Sequence, residues 1–193
     1  MSSGLRVVAG ARTAQLTGYE LVFIDSDGSE ARCSLPEAAG IGFEHVAPVR
    51  SIPSYQGQRN NPGFYWAATM AAHVEFESWL ERDEAMALDF DAEVTGFAAQ
   101  PFWLFWPDAG RVRSHAPDFF ARRADGTGIV IDCRPADRVR PRDEAAFTAT
   151  ERACAEVGWS YRRVSGHDLM WLANVGWLAT GIPAIWSNRL RRN

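Results

Sequence analysis

The stretch from Ser114 to Val164 constrains the fold more than any other part of the chain. Two strand-like runs, Ser114 to Arg122 and Gly128 to Arg134, are separated by the tight-turn sequence Ala124-Asp125-Gly126. A helical run from Asp143 to Val157 and a short strand from Trp159 to Val164 follow. Upstream, Val74 to Phe90 has helical spacing of apolar residues, and Gln100 to Trp106 reads as an aromatic-rich strand ended by Pro107-Asp108-Ala109-Gly110. A last helix is expected from His167 to Ala179, before a basic end with Arg189, Arg191 and Arg192. This order predicts an α/β fold, a mixed sheet flanked by helices.

Ahead of that unit, Tyr19 to Ile24 alternates like a strand and Asp25-Ser26-Asp27-Gly28 is a turn signal, so a hairpin returning through Ala31 to Leu35 is expected. Gly40 to Gly63 is rich in Gly, Pro, Ser, Asn and Gln, and Arg59-Asn60-Asn61-Pro62-Gly63 reads as an exposed loop. We therefore divide the chain into a small N-terminal β extension, residues 1–64, and an α/β domain, residues 65–193. At 193 residues with 47% apolar content, one well-packed domain is the default. No apolar run approaches a membrane span and Met1 to Gly10 lacks the features of a secretory signal, so a soluble, cytoplasmic protein is expected. Cys33, Cys133 and Cys154 form no Cys-x-x-Cys pair and are expected to be small apolar residues.

Charge is segregated along the chain. The net charge of -4 argues against a generic nucleic-acid coat. Between Arg111 and Arg142, however, eight arginines face four aspartates, whereas Glu75 to Glu93 carries eight acids against Arg82 alone. Such an arrangement suits a protein that holds a divalent cation with one element and phosphate with another. It equally suits ordinary solvated faces.

The strongest chemical signal is Pro117-Asp118-Phe119 at a strand start, with Ile131-Asp132-Cys133-Arg134 on the next strand. Strand alternation puts Asp132 and Arg134 on one face, one pleat apart, so adjacent strands can bring Asp118, Asp132 and Arg134 together. Metal-dependent phosphodiester hydrolysis needs carboxylates of this kind, because hard oxygens hold Mg²⁺. Glu77, Glu81 and Glu84 fall at i, i+4 and i+7 along one stripe of the preceding helix, and spacing does not separate them. Glu81 is our choice for a third acid, with Glu77 and Glu84 read as solvated charges.

Taken in order, Ser78-Trp79-Leu80-Glu81, Leu88-Asp89-Phe90-Asp91, Val94, Gln100-Pro101, His115-Ala116-Pro117-Asp118-Phe119, Ile131-Asp132-Cys133-Arg134-Pro135 and Gly158-Trp159-Ser160-Tyr161 resemble the TnsA-like endonuclease subunit of heteromeric transposases. That family belongs to the PD-(D/E)-x-K nucleases, and the resemblance spans roughly residues 65 to 180. It implies a restriction-endonuclease-like fold, Glu81, Asp118 and Asp132 as ligands of Mg²⁺ (or Mn²⁺), and Arg134 in the family's lysine position. It also implies a double-stranded DNA substrate cut at transposon ends to leave 5′-phosphate and 3′-hydroxyl, with a recombinase partner and an ATPase regulator.

All 20 basic residues are arginine, so the family's lysine is replaced. A guanidinium stays protonated and does not serve as a base, although Arg134 can clamp a phosphate or stabilise transition-state charge. That change favours a competing reading, a non-catalytic DNA-binding or assembly module. A stand-alone defence or repair nuclease is a further alternative. Arg122, Arg123, Arg138, Arg140 and Arg142 are candidate phosphate contacts, and His115 is placed to meet DNA or tune Asp118. His45, His73 and His167 lack zinc-like spacing, and His167-Asp168 reads as a helix start. Trp79, Trp171, Trp177 and Trp103 are expected in the core.

Overall fold

The computed structural model describes residues 16–50 and 61–181. The tail with Arg189, Arg191 and Arg192, and Arg59-Asn60 of the expected loop, lie outside them, as does the Trp177 side chain. Glu20–Ile24 (β1) and Glu30–Ser34 (β2) form the N-terminal hairpin, turning at Gly28 with φ +84°, where L side chains are disfavoured. Leu35–Ala38 (α1) follows, opened by Glu37, which accepts from the Ser34 amide and hydroxyl.

Gly63–Ala67 (β3) and Ala72–Phe76 (β4) make a second hairpin that our sequence reading did not anticipate. Val74 to Phe76, expected as helix, pair with β3 as strand, so the helix is confined to Trp79–Phe90 (α2). It turns a different face inward from the one expected. Glu81, Glu84, Ala85, Leu88 and Asp89 are buried, whereas Trp79 is 52% exposed and stacked on by Arg82. The reason lies in Asp89, which anchors the β3–β4 turn by accepting from the Tyr65 hydroxyl and the Ala68 and Thr69 amides. Trp171 is likewise an exposed side chain, not a core one.

Val94–Ala99 (β5) is an additional strand missed in the sequence, because Gly96, Ala98 and Ala99 carry weak strand propensity. Trp103–Asp108 (β6) begins three residues later than expected. The expected single strand Ser114 to Arg122 is two strands, Arg111–His115 (β7) and Phe119–Arg123 (β8), broken at Ala116-Pro117-Asp118. Pro117 has no N–H to give a ladder, and the chain changes sheets there. Gly128–Cys133 (β9), Pro141–Glu156 (α3), Ser160–Val164 (β10) and Leu169–Gly181 (α4) complete the order.

The strands form two four-stranded sheets, β2-β1-β6-β7 and β10-β9-β8-β5, beside the β3-β4 hairpin. The first is antiparallel throughout. In the second, β5, β8 and β9 pair antiparallel while β9 and β10 pair parallel, the α3 crossover joining them. The fold is thus mixed α/β. All six residues of β9 are buried, as expected of a strand covered on both faces.

On one face of β9, Ile129, Ile131 and Cys133 pack with Phe97, Phe119 and the α2 residues Ala85 and Leu88. On the other, Val130 packs with Phe120, Trp159, the α3 residues Ala153 and Cys154, and Leu21, Phe23 and Leu104 of the first sheet. Phe43 sits at the centre of this second cluster, edge-on to Phe23, Phe102, Phe120 and Trp159 at 4.9–5.7 Å. Each such ring pair contributes about 0.5–1.5 kcal/mol beyond area burial. The N-terminal hairpin therefore shares a sheet with β6 and a core with β8 and β9, and the 64/65 boundary falls inside β3. No helix among the described residues is long and apolar enough to cross a membrane.

Candidate active site

The chain passes between the two sheets at neighbouring points. It leaves β5 for β6 through Gln100-Pro101, and β7 for β8 through Pro117-Asp118. The Gln100 amide donates to the Asp118 carbonyl at 2.8 Å, fastening the crossings together. Gln100 is 1% exposed and holds φ +47°, a conformation that costs a non-glycine residue roughly 1–2 kcal/mol. The C-terminal end of β9 and the N-terminal end of β8 meet at the same corner.

Asp118 immediately precedes β8, and its Oδ2 accepts from the Cys133 amide at 2.7 Å. Burial, followed by the Glu81 and Asp132 carboxylates, pushes the Asp118 carboxyl well above its usual range. The Cys133 amide and the Arg50 guanidinium act the other way and are outweighed. The other two acids singled out in the sequence, Glu81 and Asp132, therefore both act on Asp118.

They approach Asp118 from different sides. Glu81 comes from α2, whose N-cap Ser78 accepts at Oγ from the Glu81 amide at 3.3 Å. Glu81 Oε1 accepts from Ser78 Oγ at 2.7 Å and Oε2 from the Glu77 amide at 2.7 Å. Burial pushes the Glu81 carboxyl up, opposed by those bonds. Asp132 projects with Val130 to the α3 side, where it is 1% exposed. Its Oδ1 lies 2.8 Å from His115 Nε2 and its Oδ2 accepts from Tyr161 Oη at 2.8 Å. Burial and Asp132 push the Tyr161 phenol well above its usual range. His115 thus holds Asp132, its ring edge-on to Phe147. Among the described residues no group of three or more His, Cys, Asp or Glu is arranged to hold a metal ion.

The basic candidates separate. Arg122 is committed to structure: Nε donates to Glu44 at 3.2 Å, Nη1 to the Gly126 carbonyl and Nη2 to the Ile41 carbonyl, with the guanidinium over Phe120. Arg122 and Arg123 lie at the other end of β8, roughly 13–17 Å along the strand from Asp118. Arg134, Arg138, Arg140 and Arg142 follow the C-terminal end of β9 and are exposed, Arg142 lying 3.5 Å from Asp143. Three of their amides are tied down, Arg134 to the Val164 carbonyl at 2.8 Å, Arg138 to the Pro135 carbonyl at 2.9 Å and Arg140 to Asp143 Oδ2 at 3.0 Å.

Two groups of residues escaped the sequence reading. Glu77, expected as a solvated charge, accepts at Oε1 from Gln100 Nε2 at 2.8 Å and from Arg50 Nη2 at 3.0 Å. Glu84, likewise expected in solvent, is 1% exposed, paired with Arg162 and with His167 Nε2 3.0 Å away. Burial still pushes its carboxyl up. No signal in the sequence marked Arg50. Neither a protein-family model nor a curated protein matches the chain.

Proposed function

We propose that this chain is a metal-dependent DNA endonuclease domain of the PD-(D/E)-x-K kind, the TnsA-like subunit of a heteromeric transposase. Its substrate would be a phosphodiester at a transposon end, and its partners a recombinase and an ATPase regulator. The observation that carries the reading is Asp118, held just ahead of β8 by the Cys133 amide at 2.7 Å, with Glu81 from α2 and Asp132 from β9 acting on its carboxyl. The order α2, β5, β8, β9, α3, β10, with three antiparallel strands and one parallel return, supports the restriction-endonuclease-like fold.

Asp118, Glu81 and Asp132 fit Mg²⁺ or Mn²⁺ in donor type, and their mutual repulsion is relieved by a cation. Glu81 and Asp132 would exchange their present partners to take that role. When bound, such an ion activates water and neutralises charge on the phosphate. Arg134 stays protonated and contributes as a phosphate clamp. Incubating supercoiled DNA carrying transposon ends with the chain, its recombinase partner and Mg²⁺ tests the reading: nicking is expected, and Asp118→Ala is expected to abolish it. Nicking that survives Asp118→Ala overturns it.

A second reading, a non-catalytic assembly module on the same fold, is favoured by the hydrogen bonds that engage both Asp132 oxygens. It predicts binding to the partner without any metal-dependent cleavage.

A further inference from the structure

A site lined by Glu77, Glu81, Asp118 and Asp132 repels a phosphodiester unless a cation faces the same corner. We infer that Arg50 is that cation and receives a phosphate oxygen of the DNA backbone beside Asp118. This rests on the nuclease reading above, and it adds a second phosphate contact to the one proposed for Arg134.

Arg50 is wired into the corner from both its side chain and its neighbour. Its Nη2 lies 3.0 Å from Glu77 Oε1, which also accepts from Gln100 Nε2 at 2.8 Å. The Glu77 amide donates to Glu81, and the Val49 amide donates to the Gln100 carbonyl at 2.9 Å, one residue from Arg50. Gln100 in turn is bonded to Asp118. The Arg50 charge accordingly acts on both Glu81 and Asp118.

Donor capacity is left over. A guanidinium has five N–H donors in a planar fork, and Glu77 engages Nη2. Nε is buried without a hydrogen-bond partner among the described residues, as is Gln100 Oε1, so the contact falls to the terminal Nη hydrogens. The Arg50 side chain is 39% exposed, so an oxyanion can reach it. A fork of this kind matches phosphate oxygens two at a time. On the second sheet Arg122, Arg162 and Arg163 are committed to Glu44, Glu84 and Glu144, and Arg123 lies at the far end of β8 from Asp118. Arg134 stands exposed beyond the end of β9.

The test is fluorescence anisotropy of the full chain on a labelled 30-base-pair DNA duplex in Ca²⁺ buffer across a salt series. Loss of one phosphate contact in Arg50→Gln lowers the steepness of log affinity against log salt by about 0.9. Arg50→Lys keeps the charge but not the fork: the slope is retained while affinity falls about three- to tenfold. A folded Arg50→Gln with the parent slope, or Arg50→Lys with parent affinity, overturns the role of Arg50 and leaves the nuclease reading standing. An unaltered chain with no salt-dependent binding to the duplex overturns both.

Discussion

The Gln100 amide donates to the Asp118 carbonyl at 2.8 Å, and each of these residues adjoins a proline at which the chain leaves one sheet for the other. Pro101 and Pro117 supply no N–H, so neither ladder continues through them. The two breaks, side by side, open a corner at the end of β8 and β9. At that corner Asp118 is half-buried, and desolvation together with the Glu81 and Asp132 carboxylates sets its chemistry apart from that of a surface acid.

The raised Asp118 carboxyl carries a stability consequence. Its folded-state pKa lies above the ordinary aspartate value, so the native state holds the proton more tightly than the unfolded chain. Its stabilising effect is complete below about pH 3.9 and is lost as pH rises towards the folded value, at about 1.4 kcal/mol per unit within that window. Asp118→Asn keeps an acceptor for the Cys133 amide and removes the charge. Denaturant unfolding without metal is expected to show the variant gaining on the parent at pH 8 relative to pH 4.

Arg122 separates structure from DNA contact. Its three hydrogen bonds join β8 to the Ile41–Glu44 region and to the Gly126 turn, and both members of its pair with Glu44 are largely buried. Arg122→Ala is expected to lower unfolding free energy by about 2–4 kcal/mol. Affinity for duplex DNA of the variant that remains folded is expected to stay within twofold of the parent, as read by anisotropy.

Gly128 opens β9 against two rings. A Cβ there would stand 2.8 Å from Phe120 and 2.8 Å from Trp159, both in the core built around Phe43. Gly128→Ala is expected to cost about 1–3 kcal/mol by overpacking. Its thermal midpoint is expected to fall by several degrees, whereas Gly166→Ala, with open space at its Cβ, is expected to shift little.

The parts of the fold legible in the sequence are those where pattern and packing agree. β1, β9, α3 and β10 carry apolar residues at the right period or stand between strong turn signals. β5 was missed because Gly96 sits where a Cβ would meet Glu44 and Met70 at 3.2 Å, a tertiary reason invisible locally. β4 was absorbed into the helix because Val74 and Phe76 fit either period, and only pairing with β3 decides. Asp118, Asp132 and Glu81 were singled out from motif and order. The hydrogen bonds of Asp132 to His115 and Tyr161 were not, since they join residues from three strands. Arg50 lay in a loop whose composition carries no period at all.

The central claim is that Asp118 anchors a live metal site, and calorimetric titration of Mg²⁺ and Mn²⁺ into the intact chain and into Asp118→Ala addresses it most directly. The account predicts saturable binding by the intact chain that is lost in the variant. No binding by the intact chain, even with Mn²⁺ and DNA present, or binding unchanged in Asp118→Ala, would contradict it.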